Sequence, residues 1–212
     1  MSILYQIPTA LQRLYGGVVW RKSAEEKAVY LTFDDGCIPQ VTPKVLDILR
    51  HYGVYASFFC VGDNIRKYPE VFKRVVQEGH AIGNHTFHHI EGLRTATDSY
   101  LNDIHLADEY IEQYLPAGES NCHLFRPPYG RMSLRQKRLL RRNHTIVLWD
   151  VLTHDYNSRY TSERIVDIVK RYTRNGSIIV FHDSIKAQKQ MLPALPRVIE
   201  FLLSEGYELR RL

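Results

Sequence analysis

Cysteine is scarce in this chain. Cys37, Cys60 and Cys122 are the three in 212 residues, an odd number with no C-x-x-C pair. That argues against a disulfide framework and a thiolate zinc site, and it fits a reducing compartment. Also missing is any apolar run approaching the roughly 18 residues that cross a bilayer. Residues 1–20 carry Pro8, Gln12 and Arg13 and lack both an early basic cluster and an A-x-A cleavage site, so no signal peptide is expected and the location is read as cytoplasmic. There is no concentrated basic tract either: 28 Lys and Arg against 23 Asp and Glu leave a net charge of +5 that is dispersed along the chain. The densest stretch, 131–142, places Leu134, Leu139 and Leu140 at helical spacing among its cations and reads as a solvated helix face, so a nucleic-acid partner is not expected. Repeats, low-complexity tracts and composition shifts are absent, which points to one domain over 1–212. Oligomeric state leaves no trace in the pattern.

What is present is ample core material, 44% hydrophobic with 11% aromatic residues, arranged as short β-branched and aromatic runs with helical patterns between them. That alternation is the signature of βα units around a parallel sheet. Seven strands are predicted, at 28–33, 56–60, 80–83, 123–125, 145–149, 177–181 and 207–210. Helices are predicted at 42–52, 69–78, 97–115, 133–142, 162–172 and 192–205. Thr42 followed by Pro43 looks like a capping hydroxyl with proline in the first turn, and Gly53, Gly79, Gly176 and Gly206 look like helix stops. A closed barrel or an open wound sheet would both put ligand chemistry beyond the carboxyl ends of the strands.

Polar residues gather in those positions: Asp34 and Asp35 after the first strand, His85 to His89 after the third, and Arg126 after the fourth. Asp150, His154 and Asp155 follow the fifth, and His182 with Asp183 the sixth. Such convergence of titratable groups on one rim reads as an active site. The His85-x-x-x-His89 spacing alone is weak, since ten histidines would give on the order of half such a pair by chance. On a helical turn, however, the two imidazoles would share a face, and Asp34 or Asp35 would complete a two-histidine, one-carboxylate metal set with open positions. Adjacent carboxylates at a strand end repel unless a cation or proton separates them. With a metal present, one aspartate can ligate while the other takes a proton from bound water.

Thr32-Phe33-Asp34-Asp35-Gly36, His85-Thr86-x-x-His89, Arg126-Pro127-Pro128-Tyr129-Gly130 and Phe181-His182-Asp183 together resemble the motifs of the polysaccharide deacetylases, the NodB-like carbohydrate esterases. The resemblance runs from Thr32 to Asp183, with the working motifs inside 28–183. It implies an α/β fold of the distorted (β/α)7 barrel type, with the site at the carboxyl ends of the parallel strands. It also implies a hydrolase that removes acetyl groups from carbohydrate containing N-acetylglucosamine, using one divalent ion, zinc first and cobalt, manganese or nickel after it. By the same resemblance, Asp35, His85 and His89 are the metal ligands, Asp34 the general base and His182 the general acid. Arg126 would steady Asp34, Asp155 would orient His182, the backbone amide of Tyr129 would help hold the oxyanion, and Tyr156 would line the substrate wall.

The sequence departs from the family at Cys37, Leu152, Tyr156 and Val180. None removes a ligand or a catalytic group, and Tyr156, where tryptophan is frequent, bears on substrate range. Cys37 reads as a small core filler. His51, His80, His105, His123 and His144 read as surface or structural histidines, His88 as a bystander, and His154 as a pocket-lining residue. Alternative readings keep the site but act on O-acetyl groups or cyclic amides, or keep the fold only for carbohydrate binding.

Overall fold

The computed structural model describes residues 5–116 and 124–212. Cys122 and His123, the latter set at the start of the predicted fourth strand, lie outside the described residues.

Every residue of β1 (Ala28–Asp34) is buried, as expected for a strand covered on both faces of a parallel sheet. β2 (Ser57–Cys60) and β3 (Ala81–Asn84) pair with it in sequence on one side. β4 (Leu124–Phe125) and β5 (Thr145–Ile146) continue that side. On the other side lie β7 (Ile178–His182) and then β6 (Val151–Leu152), while β8 (Glu208–Leu209) pairs with the start of β1. All these pairings are parallel. The order is β5-β4-β3-β2-β1-β7-β6, so the two ends of the sheet are one stretch of chain, 145–152, which leaves β4 and joins β7 within a few residues. The expected strand 145–149 therefore stops at Ile146 and a separate strand follows beyond its predicted end, so the described residues hold eight strands where seven were predicted. The amino-terminal segment covers the gap, through bridges of Gln6 to Val151, Val19 to Val147 and Arg21 to Ser177.

The helices are α1 (Thr9–Leu14), α2 (Thr42–Tyr52), α3 (Gly62–Lys67), α4 (Pro69–Gln77), α5 (Thr97–Glu112), α6 (Leu134–Leu140), α7 (Ser162–Tyr172) and α8 (Gln188–Ser204). α1 and α3 are too short to show a period in sequence. α8 begins a turn before the predicted start and carries Pro193 and Pro196 within it. Gly53 closes α2 in the left-handed conformation (φ 64°), as expected. Thr42 does not cap: the cap position is Val41, and the Thr42 hydroxyl instead accepts from the Ile38 amide and donates to Asp183 at 2.5 Å. Gly176 is a turn residue four positions after α7, packed so close to the Lys22 and Ser23 carbonyls that no β-carbon fits.

The core lies between sheet and helices, with the Phe33 ring stacked on Phe58 and Phe181 at centroid distances of 5.0 and 5.8 Å. Cys37 is buried in this core with its sulfur 3.6 Å from that of Cys60, a packing role as expected. Among the described residues no helix is long and apolar enough to cross a membrane.

Candidate active site

β1 ends at Asp34, a residue only 3% exposed. An ionised group buried there needs a partner. Arg126, first residue after β4 and wholly buried, donates from Nη1 to Asp34 Oδ1 at 2.6 Å and to Thr32 Oγ1 at 2.8 Å. Its Nη2 donates to the Leu148 carbonyl at 3.1 Å, and its guanidinium lies over the Phe59 ring at 4.0 Å. Burial pulls the Arg126 pKa down and Asp34 offsets only part of that; the guanidinium stays charged.

The chain then turns sharply, with Asp35 at φ 79°, which sends the second carboxylate away from the first. A β-carbon at Gly36 would collide with the buried Asp183 carboxyl, so the glycine of the motif is a steric requirement. Asp35 faces the two histidines: its Oδ1 lies 3.2 Å from His89 Nε2 and 3.8 Å from His85 Nε2. Burial works against its charge. The hydrogen bond from His89 and the nearby His182, His85 and His89 outweigh that and hold the carboxyl well below its usual range.

His85 and His89 were expected on one helical turn, and they are not. They sit in a loop after β3 in which Thr86 and His89 are left-handed, at φ 64° and 55°. The loop is held from outside: Asp103 on α5 accepts from the amides of Phe87 and His88 at 2.8 and 3.0 Å, and Asn84 accepts from Thr86 at 2.7 Å. His85 Nδ1 lies 2.7 Å from the Arg126 carbonyl, which can only accept. Nδ1 therefore carries the hydrogen, and the Nε2 lone pair points toward Asp35. Burial lowers the His85 pKa to about 4, keeping it neutral and able to ligate. One donor atom each from Asp35, His85 and His89 all lie within 4.8 Å of one another, a set able to hold a metal ion.

His182 closes β7 and is the register partner of Asp34 on the neighbouring strand. Asp155, fully buried, accepts from His182 twice, from ring Nδ1 and from the backbone amide, both at 2.7 Å. Burial opposes a charge on the ring, but Asp155 more than compensates, and the His182 pKa rises to about 9. The Tyr156 ring stands perpendicular to that of His182 at 5.0 Å.

Asp34, Asp35, His85, His89, Tyr129, Tyr156 and His182 line one cleft of about 690 Å3, while Arg126 and Asp155 lie just behind it. Tyr129 is left-handed (φ 60°), mostly exposed, with its ring 5.0 Å from that of His89. Asp150 does not join them. It sits at the start of β6, held by Arg174 and Ser177 at the amino ends of the strands, because the unforeseen break in 145–152 turns it to that end. His154 stands behind Tyr156 instead of in the wall. His88 and His144 are bonded to Asp103 and Asp108, and His51 and His105 are exposed. His80 is buried, its Nε2 without a hydrogen-bond partner among the described residues.

Of the apolar walls, Ile38, Trp149, Leu152 and Ile185, only Leu152 was marked in the sequence, as a departure from the family; Asp103 was not, and Thr42 and Asp183 were noted without their bond to each other. For Ile185 the signal was its place two residues after the Phe181-His182-Asp183 motif; for Asp103, mid-helix, there was none.

The polysaccharide deacetylase family model matches residues 21–148. A peptidoglycan-N-acetylglucosamine deacetylase of Bacillus cereus is 33% identical over 196 residues, 91% of this chain and 89% of that relative. A chitooligosaccharide deacetylase of Azorhizobium caulinodans is 31% identical over 208 residues, 92% and 98% of the two chains. The crystal structure of a peptidoglycan N-acetylglucosamine deacetylase superposes with a TM-score of 0.89 at 31% identity, over 97% of this chain and 95% of that one. With the motifs in order on the matching fold, the chain belongs to the polysaccharide deacetylase family.

Proposed function

We propose that the protein is a metal-dependent hydrolase that removes N-acetyl groups from oligo- or polysaccharide containing N-acetylglucosamine. The observation that carries this reading is the opening of three groups on one cleft. They are a carboxylate clamped by a buried arginine, an Asp-His-His set, and an imidazole clamped by a buried aspartate. The names of the two relatives support the substrate class.

An acetamide has a poorly electrophilic carbonyl and a poor leaving group, so the site must polarise the carbonyl, activate water, steady an oxyanion and protonate nitrogen. Asp35, His85 and His89 would hold the divalent ion, and two imidazoles with one carboxylate suit zinc, ahead of cobalt, manganese or nickel. Such an ion supplies Lewis acidity and a lowered pKa for coordinated water. Asp34, paired with the Arg126 guanidinium, takes the proton of the attacking water. His182, kept protonated by Asp155, gives a proton to the departing nitrogen. The Tyr129 backbone amide is a donor for the oxyanion, and Tyr156 borders the sugar or the acetyl methyl.

The test is acetate release from N-acetylglucosamine oligomers after chelation and after adding back zinc, cobalt or manganese. Metal-restored release is expected. Asp34→Asn should lower release roughly 100-fold or more, the usual scale for loss of a general base, with metal stoichiometry unchanged. Unchanged release in that variant defeats the mechanism. No release with full metal binding moves the reading to O-acetyl or cyclic-amide substrates, or to binding alone.

A further inference from the structure

Asp155 fixes the tautomer of His182 and one point of its ring, because both carboxylate oxygens are spent on Nδ1 and the backbone amide. A single ring hydrogen bond still allows the imidazole to rock, so a second point of support is needed to aim Nε2. That support is Tyr156, edge-on at 5.0 Å and 87°. Tyr156 itself borders the open cleft, and its phenol tip is held by a 2.9 Å hydrogen bond between its hydroxyl and His154 Nδ1. His154 is in turn gripped between the Tyr5 ring at 5.6 Å and the Tyr160 ring at 6.2 Å, and those two hydroxyls bond to each other at 2.8 Å. The backbone of His154 is left-handed, φ 56°, a conformation that β-branched residues avoid and that Asn, Asp and His tolerate.

We propose that His154 is a positioning residue for the reaction: through the Tyr156 hydroxyl it holds the phenol ring as a stop against His182, fixing the direction in which that imidazole delivers its proton. The inference rests on the reading of His182 as general acid. It gives a specific task to the tyrosine at 156, since a phenol, unlike an indole, reaches its anchor through an oxygen at the far end of the ring. It also joins the amino-terminal segment, through Tyr5, to the acid side of the cleft.

The experiment is steady-state deacetylation of N-acetylglucosamine oligomers by the metal-loaded enzyme and a set of variants, with thermal melting of each. Tyr156→Phe keeps the ring and removes the anchor. His154→Leu removes it from the other side, and His154→Asn retains a hydrogen-bonding group near the Nδ1 position and the left-handed backbone. Expected are falls in kcat of roughly tenfold for Tyr156→Phe and His154→Leu, the scale at which small misplacement of a catalytic group is felt. KM should change little, His154→Asn should stay near wild type, and the Tyr156→Phe/His154→Leu double variant should be no worse than either single one. Should His154→Leu fail to fold, Tyr156→Phe against wild type and His154→Asn carries the test. Wild-type kcat in Tyr156→Phe, or additive losses in the double variant, overturn the proposal. His182→Asn separates the two levels. If that variant is inactive while Tyr156→Phe is unaffected, only the positioning role falls; if it is fully active, the general-acid reading falls and the inference with it.

Discussion

Asp34 and His182 are register partners on adjacent strands, yet each has its own buried counter-charge, Arg126 for one and Asp155 for the other. That division lets a base and an acid stand side by side without sharing a proton. It also fixes the pH response. The His182 pKa is raised, so the ring is protonated below about pH 9 and loses its proton above it. A bound cation offsets the part of that rise due to Asp35. Acetate release should therefore decline on a basic limb at or below about pH 9. In Asp155→Asn, which removes the main charge supporting the imidazolium, the limb should move toward acid; a pH–rate profile with an unmoved limb would assign it to another group. At this scale the sequence was informative about residues that do chemistry and only partly so about those that hold them. Arg126 and Asp155 were marked by their places after predicted strands and given roles by the family resemblance, while the Thr42 hydroxyl looks the same in sequence whether it caps its own helix or bonds Asp183 far along the chain.

Elements were legible where burial imposes a long period, as in β1, α2 and α7, whose observed ends differ from the predicted ones by at most a residue. They were not legible where three-dimensional pairing decides. β5 and β6 are two residues each, and nothing local distinguishes a strand that changes partners from one that continues. The histidine loop is similar: its spacing imitates a helical turn, but Asp103 and two left-handed residues produce the juxtaposition. At the start of β3, His80 accepts from the Ala56 amide through Nδ1 at 3.2 Å and packs on Phe58. Burial lowers its pKa to about 4 from 6.5. The unfolded chain thus binds a proton in that window that the folded chain refuses, and stability is full above about pH 6.5 and is lost as the pH falls toward 4. Urea midpoints at several pH values should show this slope, and His80→Phe should flatten it, even with a lower midpoint at neutral pH from the unsatisfied Ala56 amide.

Over the whole molecule, the metal set joins chain segments that are distant in sequence: Asp35 follows β1, the histidines follow β3, and the second histidine borders Tyr129 beyond β4. An ion bound only by the folded arrangement stabilises it by mass action, about 2.7 kcal/mol at a hundredfold excess over Kd. Zinc added to chelated protein should raise the melting temperature, and His85→Ala should abolish the rise; an equal rise in that variant would place the ion elsewhere. The seam of the barrel carries a different consequence. Between β5 and β6 the ladder is interrupted, and there Arg126 reaches the carbonyls of Val147 and Leu148 at 3.4 and 3.1 Å. The arginine that partners Asp34 is thereby also a clasp between β1 and the segment that joins the two ends of the sheet. The protein cannot relax its architecture at this point without disarming its chemistry, so drift in the short seam strands is tolerable only for as long as the clasp remains.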